Sequence, residues 1–227
     1  MMCSDIYVLK ITPYRESSNL YEAVAKDYGK LTLMHKGVKA NNRRNSLELF
    51  TSYKINFSGK GSIKFLRDSE IIERKCLSEV HKIIGMYFNE LMFYLTKNDY
   101  QIERLYDHYD TSLGNLSKSD NYLEDLNTYE IGILILVGHY LIFDQDIDGK
   151  FVEENYKYSY IPEQGPVIDL HSKNTYSGKT LMALSGKYSY DSLSIRESRL
   201  LMKRLIDYYI QPKKIITREI LRYISLK

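Results

Sequence analysis

The fold of this chain is predicted most clearly by residues 49–66, which read LFTSYKINFSGKGSIKFL. One face of the predicted strand is Leu49, Thr51, Tyr53, Ile55 and Phe57, and the other is Phe50, Ser52, Lys54 and Asn56, which is the period of a half-buried strand. Gly59-Lys60-Gly61 then predicts a turn, and a second apolar stretch begins at Ile63. We therefore expect two consecutive strands joined by a short turn.

Three further short strands are predicted before this segment. Residues 6–11 form an apolar stretch that we expect to stop at Pro13, and apolar stretches recur at residues 20–25 and 31–35. A polar linker at residues 39–46 separates the third strand from the fourth. Five short strands at this spacing suit a small closed barrel, and the OB-fold is the five-stranded barrel that fits them.

Helical periodicity replaces strand alternation near residue 75. Apolar residues recur every three or four positions from Val80 to Leu95, as on one face of an amphipathic helix. Further helices are predicted at residues 101–116, 126–143, 180–184, 194–210 and 216–224, with a loop and a hairpin at residues 144–176. The expected fold class is α+β, with an OB-fold β-barrel domain at residues 1–76 and an α-helical domain at residues 77–227 that carries the small insertion.

The formal net charge of +3 over 227 residues hides a strong asymmetry. Residues 1–80 carry 14 basic and 9 acidic side chains, residues 81–190 carry 9 and 16, and residues 191–227 carry 9 and 4. Such basic–acidic–basic polarity suggests contact with a polyanion. The 22 tyrosines are less specific, because base stacking needs only a few exposed rings and a nucleotide bias in the coding sequence would explain the rest.

The composition disfavours secreted and membrane proteins. The first residues show no basic segment followed by an apolar one, so no signal peptide is expected. The interrupted apolar run of residues 131–143 is too short to span a bilayer, which takes about 20 residues. Cys3 and Cys76 form no disulfide framework and no metal motif. We therefore expect a cytoplasmic protein without membrane segments.

The catalytic motifs of the chain are only partial. Gly178-Lys179-Thr180 matches the end of a phosphate-binding P-loop, but the glycine required five positions earlier is Lys173. The five histidines show no metal-ligand spacing, and His139 is expected to be a hydrogen-bonded core residue of the helix at 126–143. No enzymatic activity and no cofactor are predicted.

Residues 144–149 read DQDIDG and reproduce the first half of an EF-hand calcium loop. The carboxylates of Asp144, Asp146 and Asp148 stand at alternate positions before the turn glycine. The twelfth position, which should be a bidentate glutamate, is Asn155. An acidic turn in solvent is the first interpretation, and weak calcium binding is the alternative.

Two groups of basic residues are candidate polyanion-binding sites. In the barrel, basic side chains interleave with aromatic ones that would serve as platforms for bases. The candidates are Lys10, Tyr14, Arg15, Lys36, Lys39, Arg43 and Arg44, with Tyr21, Tyr53 and Phe57 as further platforms. Near the C-terminus, the spacing of Arg196, Arg199 and Lys203 places them on one helix face. With Arg204, Arg218 and Arg222 they form a second candidate site, for DNA, for a partner's acidic tail or for the acidic middle segment.

A series of short motifs runs along nearly the whole chain. They are Pro13-Tyr14-Arg15-Glu16-Ser17-Ser18, Tyr28-Gly29-Lys30, Lys36-Gly37-Val38-Lys39, Gly59-Lys60-Gly61, Tyr87-Phe88-Asn89-Glu90-Leu91, Tyr129-Glu130-Ile131, Ser177-Gly178-Lys179-Thr180-Leu181 and Thr217-Arg218-Glu219-Ile220-Leu221. Their order and spacing resemble those of the RecO family of DNA repair and recombination mediators.

This resemblance implies an N-terminal OB-fold and a helical domain that has a zinc-ribbon-like insertion in some members. It implies binding of single-stranded and double-stranded DNA, strand annealing, and two partners, RecR and the acidic C-terminal tail of single-stranded-DNA-binding protein. The chain departs from the family pattern in three places. The four zinc cysteines are absent from residues 143–176, Asn127 and Thr128 replace basic residues of the partner-tail site, and Thr12 replaces an arginine.

The resulting hypothesis is a non-enzymatic recombination mediator whose barrel holds single-stranded DNA. Arg199 and Lys203 are the first choices for holding a second strand or an acidic tail, and bringing two polyanions onto one cationic surface would lower their repulsion. A protein-interaction adaptor without DNA affinity of its own is the alternative, and a calcium-binding module at residues 144–149 is a third.

Overall fold

A computed structural model of the protein describes residues 1–37, 46–169, 172 and 174–224, with side chains described up to residue 220. The chain forms two compact units. The first contains residues 1–119 together with the helix that follows residue 214, and the second contains residues 120–214. No helix of the described ranges is long and apolar enough to cross a membrane.

The first unit contains a closed barrel of five strands in the order β1-β2-β3-β5-β4. The strands are β1 (Met2–Tyr14), β2 (Ser18–Ala25), β3 (Gly29–Lys36), β4 (Thr51–Ser58) and β5 (Ile63–Arg74). Neighbouring strands are antiparallel except β3 and β5, which are parallel. This confirms the predicted OB-fold barrel. Strand β1 continues through Pro13 to Tyr14, beyond the predicted stop, because Pro13 pairs opposite Asn19.

The alternation along β4 fills the barrel interior. Ile55 and Phe57 are fully buried, and Tyr53 and Tyr21 join them in the core. Each of these two tyrosine hydroxyls accepts a backbone N–H, from Glu48 for Tyr53 (2.9 Å) and from Leu47 for Tyr21 (3.3 Å). The expectation that Tyr21, Tyr53 and Phe57 are platforms for bases is therefore wrong, because their rings pack inside the barrel.

Three helices complete the first unit: α1 (Glu79–Leu95), α2 (Leu105–Leu116) and α6 (Thr217–Ile224). The middle of the predicted amphipathic face of α1 is buried at Ile84, Tyr87 and Leu91, whereas Val80 at its start is exposed. At the end of α1, the buried Lys30 ammonium donates hydrogen bonds to the carbonyl oxygens of Phe93 (2.9 Å) and Thr96 (2.6 Å). The Glu90 carboxylate accepts the backbone N–H of Thr217 (2.9 Å), so α6 begins against α1. These contacts satisfy backbone carbonyl groups at the C-terminal end of α1 and a backbone N–H group at the start of α6, which have no partner within their helices.

The second unit combines three helices with a three-stranded sheet of order β7-β6-β8. The elements are α3 (Tyr122–Leu136), β6 (Lys157–Ile161), β7 (Gly165–Ile168), β8 (Tyr176–Ser177), α4 (Gly178–Leu184) and α5 (Ser192–Ile210). Strands β6 and β7 form the hairpin predicted within residues 144–176.

The helix predicted at residues 126–143 is wrong at both ends, because α3 begins at Tyr122 and ends at Leu136. Gly138 follows with a φ of 96°, a left-handed conformation that stops the helix. His139 therefore lies outside a helix, where it stacks on Tyr209 with 3.8 Å between ring centroids. Its Nδ1 lies 3.1 Å from a carboxylate oxygen of Glu163, so the expected hydrogen bond is present in a partly exposed setting.

Candidate nucleic-acid interface

Four strands of the barrel meet around an open hollow of about 410 Å³. Tyr14 at the end of β1 pairs opposite Ser18 of β2, and Ser18 pairs opposite Lys36 of β3. Phe65 of β5 pairs opposite Met34 of β3 across the parallel contact. The register therefore collects side chains from distant parts of the sequence at one end of the barrel.

A cationic side chain lies close to each of the two aromatic rings in this hollow. The guanidinium of Arg15 lies 5.3 Å from the ring centroid of Tyr14, and the ammonium of Lys36 lies 5.1 Å from that of Phe65. Both rings are half-buried, whereas Arg15 and Lys36 are exposed. These are cation–π contacts at the protein surface.

The hollow continues along β3 and β5. A second hollow, of about 440 Å³, shares Lys36 and Phe65 with the first and adds Arg67. A third, of about 210 Å³, shares Arg67 with the second and reaches Arg74. Phe65 and Arg74 are nine residues apart on β5, a span of about 30 Å in an extended strand. We call this surface the barrel track and define it by Tyr14, Arg15, Lys36, Phe65, Arg67 and Arg74.

Neighbouring polar groups hold part of the track in place. The Nε of Arg67 donates to the Ser58 hydroxyl (2.8 Å), and Arg74 lies 3.5 Å from a carboxylate oxygen of Glu48. His35 lines the second and third hollows, and burial lowers the pKa of its imidazole. All four cations of the track, Arg15, Lys36, Arg67 and Arg74, are nevertheless exposed to solvent.

The structure divides the barrel residues that the sequence predicted. Tyr14, Arg15 and Lys36 come together in the track, whereas Lys10 lies over the ring of Phe93, 5.3 Å from its centroid, in a separate apolar groove formed by β1, α1 and α6. Lys39, Arg43 and Arg44 lie outside the described residues. Sequence patterns missed Phe65 and Arg67, because only the parallel pairing of β3 with β5 brings them beside Lys36, and they missed Arg74, which lies farther along β5.

Arg199 makes contacts inside the second unit. Its two terminal nitrogens donate to the two carboxylate oxygens of Glu130 (2.7 and 2.9 Å), and one also donates to Oδ1 of Asn127 (2.8 Å). The Glu130 side chain is fully buried. This bidentate pair occupies the guanidinium, so the geometry does not support the expectation that Arg199 binds a second strand or an acidic tail.

The other predicted C-terminal cations are divided between the units. Arg196 and Lys203 are exposed on α5, and Arg204 donates to the Tyr176 hydroxyl (3.0 Å). In the first unit, Arg218 lies 5.5 Å from the ring centroid of Tyr87 and donates to its hydroxyl (3.2 Å). The side chain of Arg222 lies outside the described residues.

The geometry of residues 144–149 does not support the calcium interpretation. Asp144 pairs with Lys187 (2.9 Å), and Oδ1 of Asp146 accepts the backbone N–H groups of Asp148 (3.0 Å) and Lys150 (2.8 Å). Across the described ranges, no group of three His, Cys, Asp or Glu side chains could hold a metal ion. The Asp146 carboxylate thus accepts backbone hydrogen bonds from its own turn, as in an Asx turn.

The P-loop-like segment is also used for packing. The Glu197 carboxylate accepts hydrogen bonds from the Ser177 backbone N–H (2.8 Å) and from the Thr180 hydroxyl (2.6 Å), which are groups that a phosphate would need. Lys179 pairs with Asp191 (2.7 Å), and this pair holds the pKa of the Asp191 carboxyl well below its usual range. An internal carboxylate stands where a nucleotide phosphate would have to bind.

Charge is unequal between the two compact units. Residues 1–119 and 215–227 carry 21 basic and 15 acidic side chains, a net charge of +6. Residues 120–214 carry 11 basic and 14 acidic side chains, a net charge of −3. The barrel unit is therefore the cationic part of the chain, which favours a polyanion as its ligand.

Comparison with known proteins gives consistent matches across both units. The family models described as Recombination protein O N terminal and Recombination protein O C terminal match residues 1–74 and 82–213. The DNA repair protein RecO of Nitrosospira multiformis is 29% identical over 224 residues, which is 95% of this chain and 93% of that protein. The DNA repair protein RecO of Dechloromonas aromatica is 30% identical over 225 residues, with the same coverage of both chains.

Proposed function

We propose, because this chain belongs to the RecO family of DNA repair and recombination proteins, that its barrel track binds single-stranded DNA. The observation that carries the proposal is the row of exposed cations beside two aromatic rings at the end of an OB-fold barrel. OB-folds bind oligonucleotides with the face of strands 2 and 3 and with the loops that follow strands 1 and 4. Arg15 lies in the β1–β2 turn and Lys36 at the end of β3, so this part of the track belongs to that surface, and Phe65, Arg67 and Arg74 extend the track along β5.

The physical basis of binding is release of counterions from phosphates. Arg15, Lys36, Arg67 and Arg74 are spread along a surface of about 30 Å, so they would contact several successive phosphates. In single strands each neutralised phosphate contributes about 0.7 to the dependence of log K on log salt. Binding through three or four of these cations would give a slope of about −2 to −3.

The mechanism that follows is strand annealing without covalent catalysis. A net charge of +6 on the barrel unit lowers the repulsion between two strands held on or near it, which speeds their encounter. Double-stranded DNA would bind through phosphate contacts of the same kind. No cofactor enters this mechanism.

RecR and the acidic C-terminal tail of single-stranded-DNA-binding protein are the proposed protein partners. The exposed Arg196 and Lys203 support the tail as a ligand of α5, because their spacing of seven residues places both cations on one face of the helix, where they can pair with carboxylates. If the chain were only a protein-interaction adaptor, DNA would not bind to the track at low salt.

The test is a charge reversal in the track. Lys36→Glu should weaken binding of a single-stranded oligonucleotide by at least about five-fold at 0.1 M salt. One phosphate contact with a slope of 0.7 contributes a factor of about five to the affinity at 0.1 M relative to 1 M salt. The variant should also make the salt slope shallower by about 0.7. Fluorescence anisotropy titrations at several salt concentrations measure both quantities.

Lys54→Glu is the matched control, because Lys54 is exposed on β4 of the same barrel and lines none of the three hollows of the track. It makes the same change of charge and should retain most of the affinity. Equal losses in the two variants would discard the track as the site. Annealing of complementary strands that is no faster with the protein than without it would discard the mediator mechanism.

A further inference from the structure

We infer that the hollow between Tyr14 and Phe65 is a stacking site for two unpaired bases, which makes the track selective for single-stranded over duplex DNA. The inference rests on the proposed function and adds two specificity-determining residues to it. It starts from the finding that one hollow contains two half-buried rings, each with an exposed cation beside it.

Each ring and its cation match the two parts of one nucleotide. A nucleotide offers a flat base and, next to it, a phosphate, and the track offers a flat ring and, next to it, a positive charge. Arg15 follows Tyr14 directly in the chain, and Lys36 lies two residues after Met34, the strand partner of Phe65. Two such pairs line one hollow, so two nucleotides would bind there side by side.

A base can displace the side chains of Arg15 and Lys36 from the two rings. Exposed cation–π contacts are weak, and the long side chains of Arg15 and Lys36 can rotate in solvent. Stacking of a base on an aromatic ring is stronger than such a contact. A base can therefore replace the cation on the ring, and the displaced cation remains within reach of the phosphate of the same nucleotide.

Selectivity follows from the state of the bases in the ligand. In a duplex both faces of a base are already stacked on its neighbours, so the rings of Tyr14 and Phe65 gain nothing unless base pairs open. Phosphates are accessible in duplex and single strand alike. Loss of a ring should therefore affect only ligands with free bases, whereas loss of a cation should affect every DNA ligand.

The experiment compares Phe65→Leu with the wild-type protein on three probes: an oligothymidine, an abasic oligomer of the same length, and a duplex. Leucine keeps an apolar side chain but removes the flat ring. The variant should bind the oligothymidine about 5- to 150-fold more weakly, the range for one lost base–aromatic stack. Binding of the abasic oligomer and of the duplex should change less than about two-fold, and the salt slope should stay the same.

Phe151→Leu is the matched control, because Phe151 is an exposed ring of the second unit with the Lys187 ammonium 5.5 Å from its centroid. It should bind all three probes as the wild type does. Lys36→Gln should weaken binding of all three. Tyr14→Leu and Tyr14→Phe repeat the test at the second ring, and only the leucine variant should lose oligothymidine affinity, so a folding defect of Phe65→Leu would not leave the inference untested.

Two outcomes would overturn the inference. If the leucine variants bind oligothymidine as tightly as the wild type, the rings do not stack on bases. If they lose the same factor on all three probes, the rings serve the structure of the barrel only. Failure of the wild-type protein to bind any of the probes would instead count against the proposed function.

Discussion

At the scale of single residues, Arg199 and Lys203 show why spacing on a helix does not settle the role of a charge. Both residues lie on α5, four positions apart, but Arg199 turns toward α3 and forms a bidentate pair with the buried Glu130. Lys203 remains exposed. A buried carboxylate needs such a partner, whereas an exposed lysine is available to a ligand.

Arg199→Ala should therefore destabilise the protein by about 3–5 kcal/mol, because it leaves Glu130 buried without its cation. Urea unfolding followed by circular dichroism measures this loss. Lys203→Ala on the same helix is the control and should stay within about 0.5 kcal/mol of the wild type. A loss below about 1 kcal/mol for Arg199→Ala would show that Glu130 tolerates the missing partner.

At the scale of elements, the start of α4 depends on a close approach that only glycine allows. A Cβ atom built on Gly178 would lie 1.9 Å from the carbonyl oxygen of Glu153, so two backbone segments touch at this point. The Gly178 N–H also donates to the carbonyl oxygen of Tyr156 (2.9 Å). The motif that resembles a P-loop is thus a packing contact between α4 and the loop before β6.

Gly178→Ala should destabilise the protein by about 1–3 kcal/mol or more, because the backbone must shift to admit the methyl group. Gly114→Ala in α2 is the comparison. The nearest heavy atom to a Cβ there is the Lys75 Nζ at 4.0 Å, and alanine should stabilise the helix by about 0.5–1 kcal/mol. Thermal unfolding of the two variants should therefore shift in opposite directions, and equal shifts would contradict the packing role of Gly178.

At the scale of the whole molecule, tyrosines supply much of the core of both units. Tyr7 and Tyr109 are fully buried in the first unit, and Tyr158 is nearly so in the second. Burial is the main cause that raises the pKa of the phenols of Tyr7, Tyr106 and Tyr109 far above the usual range. In the second unit, burial, with a contribution from Glu163, raises the pKa of Tyr209 to about 12.

This burial predicts a loss of stability in alkali. In the unfolded chain tyrosines ionise near pH 10, whereas the folded chain holds these phenols neutral. Their contribution is therefore complete below about pH 10 and is lost as the pH rises toward the folded-state pKa values. Urea midpoints should fall between about pH 9 and pH 11, and the fall should be smaller for Tyr209→Phe. A constant midpoint over this range would contradict the expectation.

The sequence by itself determined the elements, the OB-fold barrel and the family. Two of the patterns are local: the strand alternation over residues 49–57 and the helical periodicity from Val80 to Leu95. Each depends only on which neighbouring side chains face the core. Ordered motifs along the chain are enough for the family, and residue type alone makes Tyr14, Arg15 and Lys36 candidates for DNA binding. The end of α3 was missed, because an apolar run continues past Gly138, where the helix stops.

Only the tertiary structure decided which of the basic residues share a surface. The parallel pairing of β3 with β5 places Phe65 and Arg67 beside Lys36, although about 30 residues separate them in the chain. The pair with Glu130 engages Arg199 within the second unit, and Arg218 belongs to the first unit whereas the cations of α5 belong to the second. The physical reason is that charge and aromaticity are properties of a residue, whereas neighbours in a barrel or across a helix pair are set by long-range register and packing.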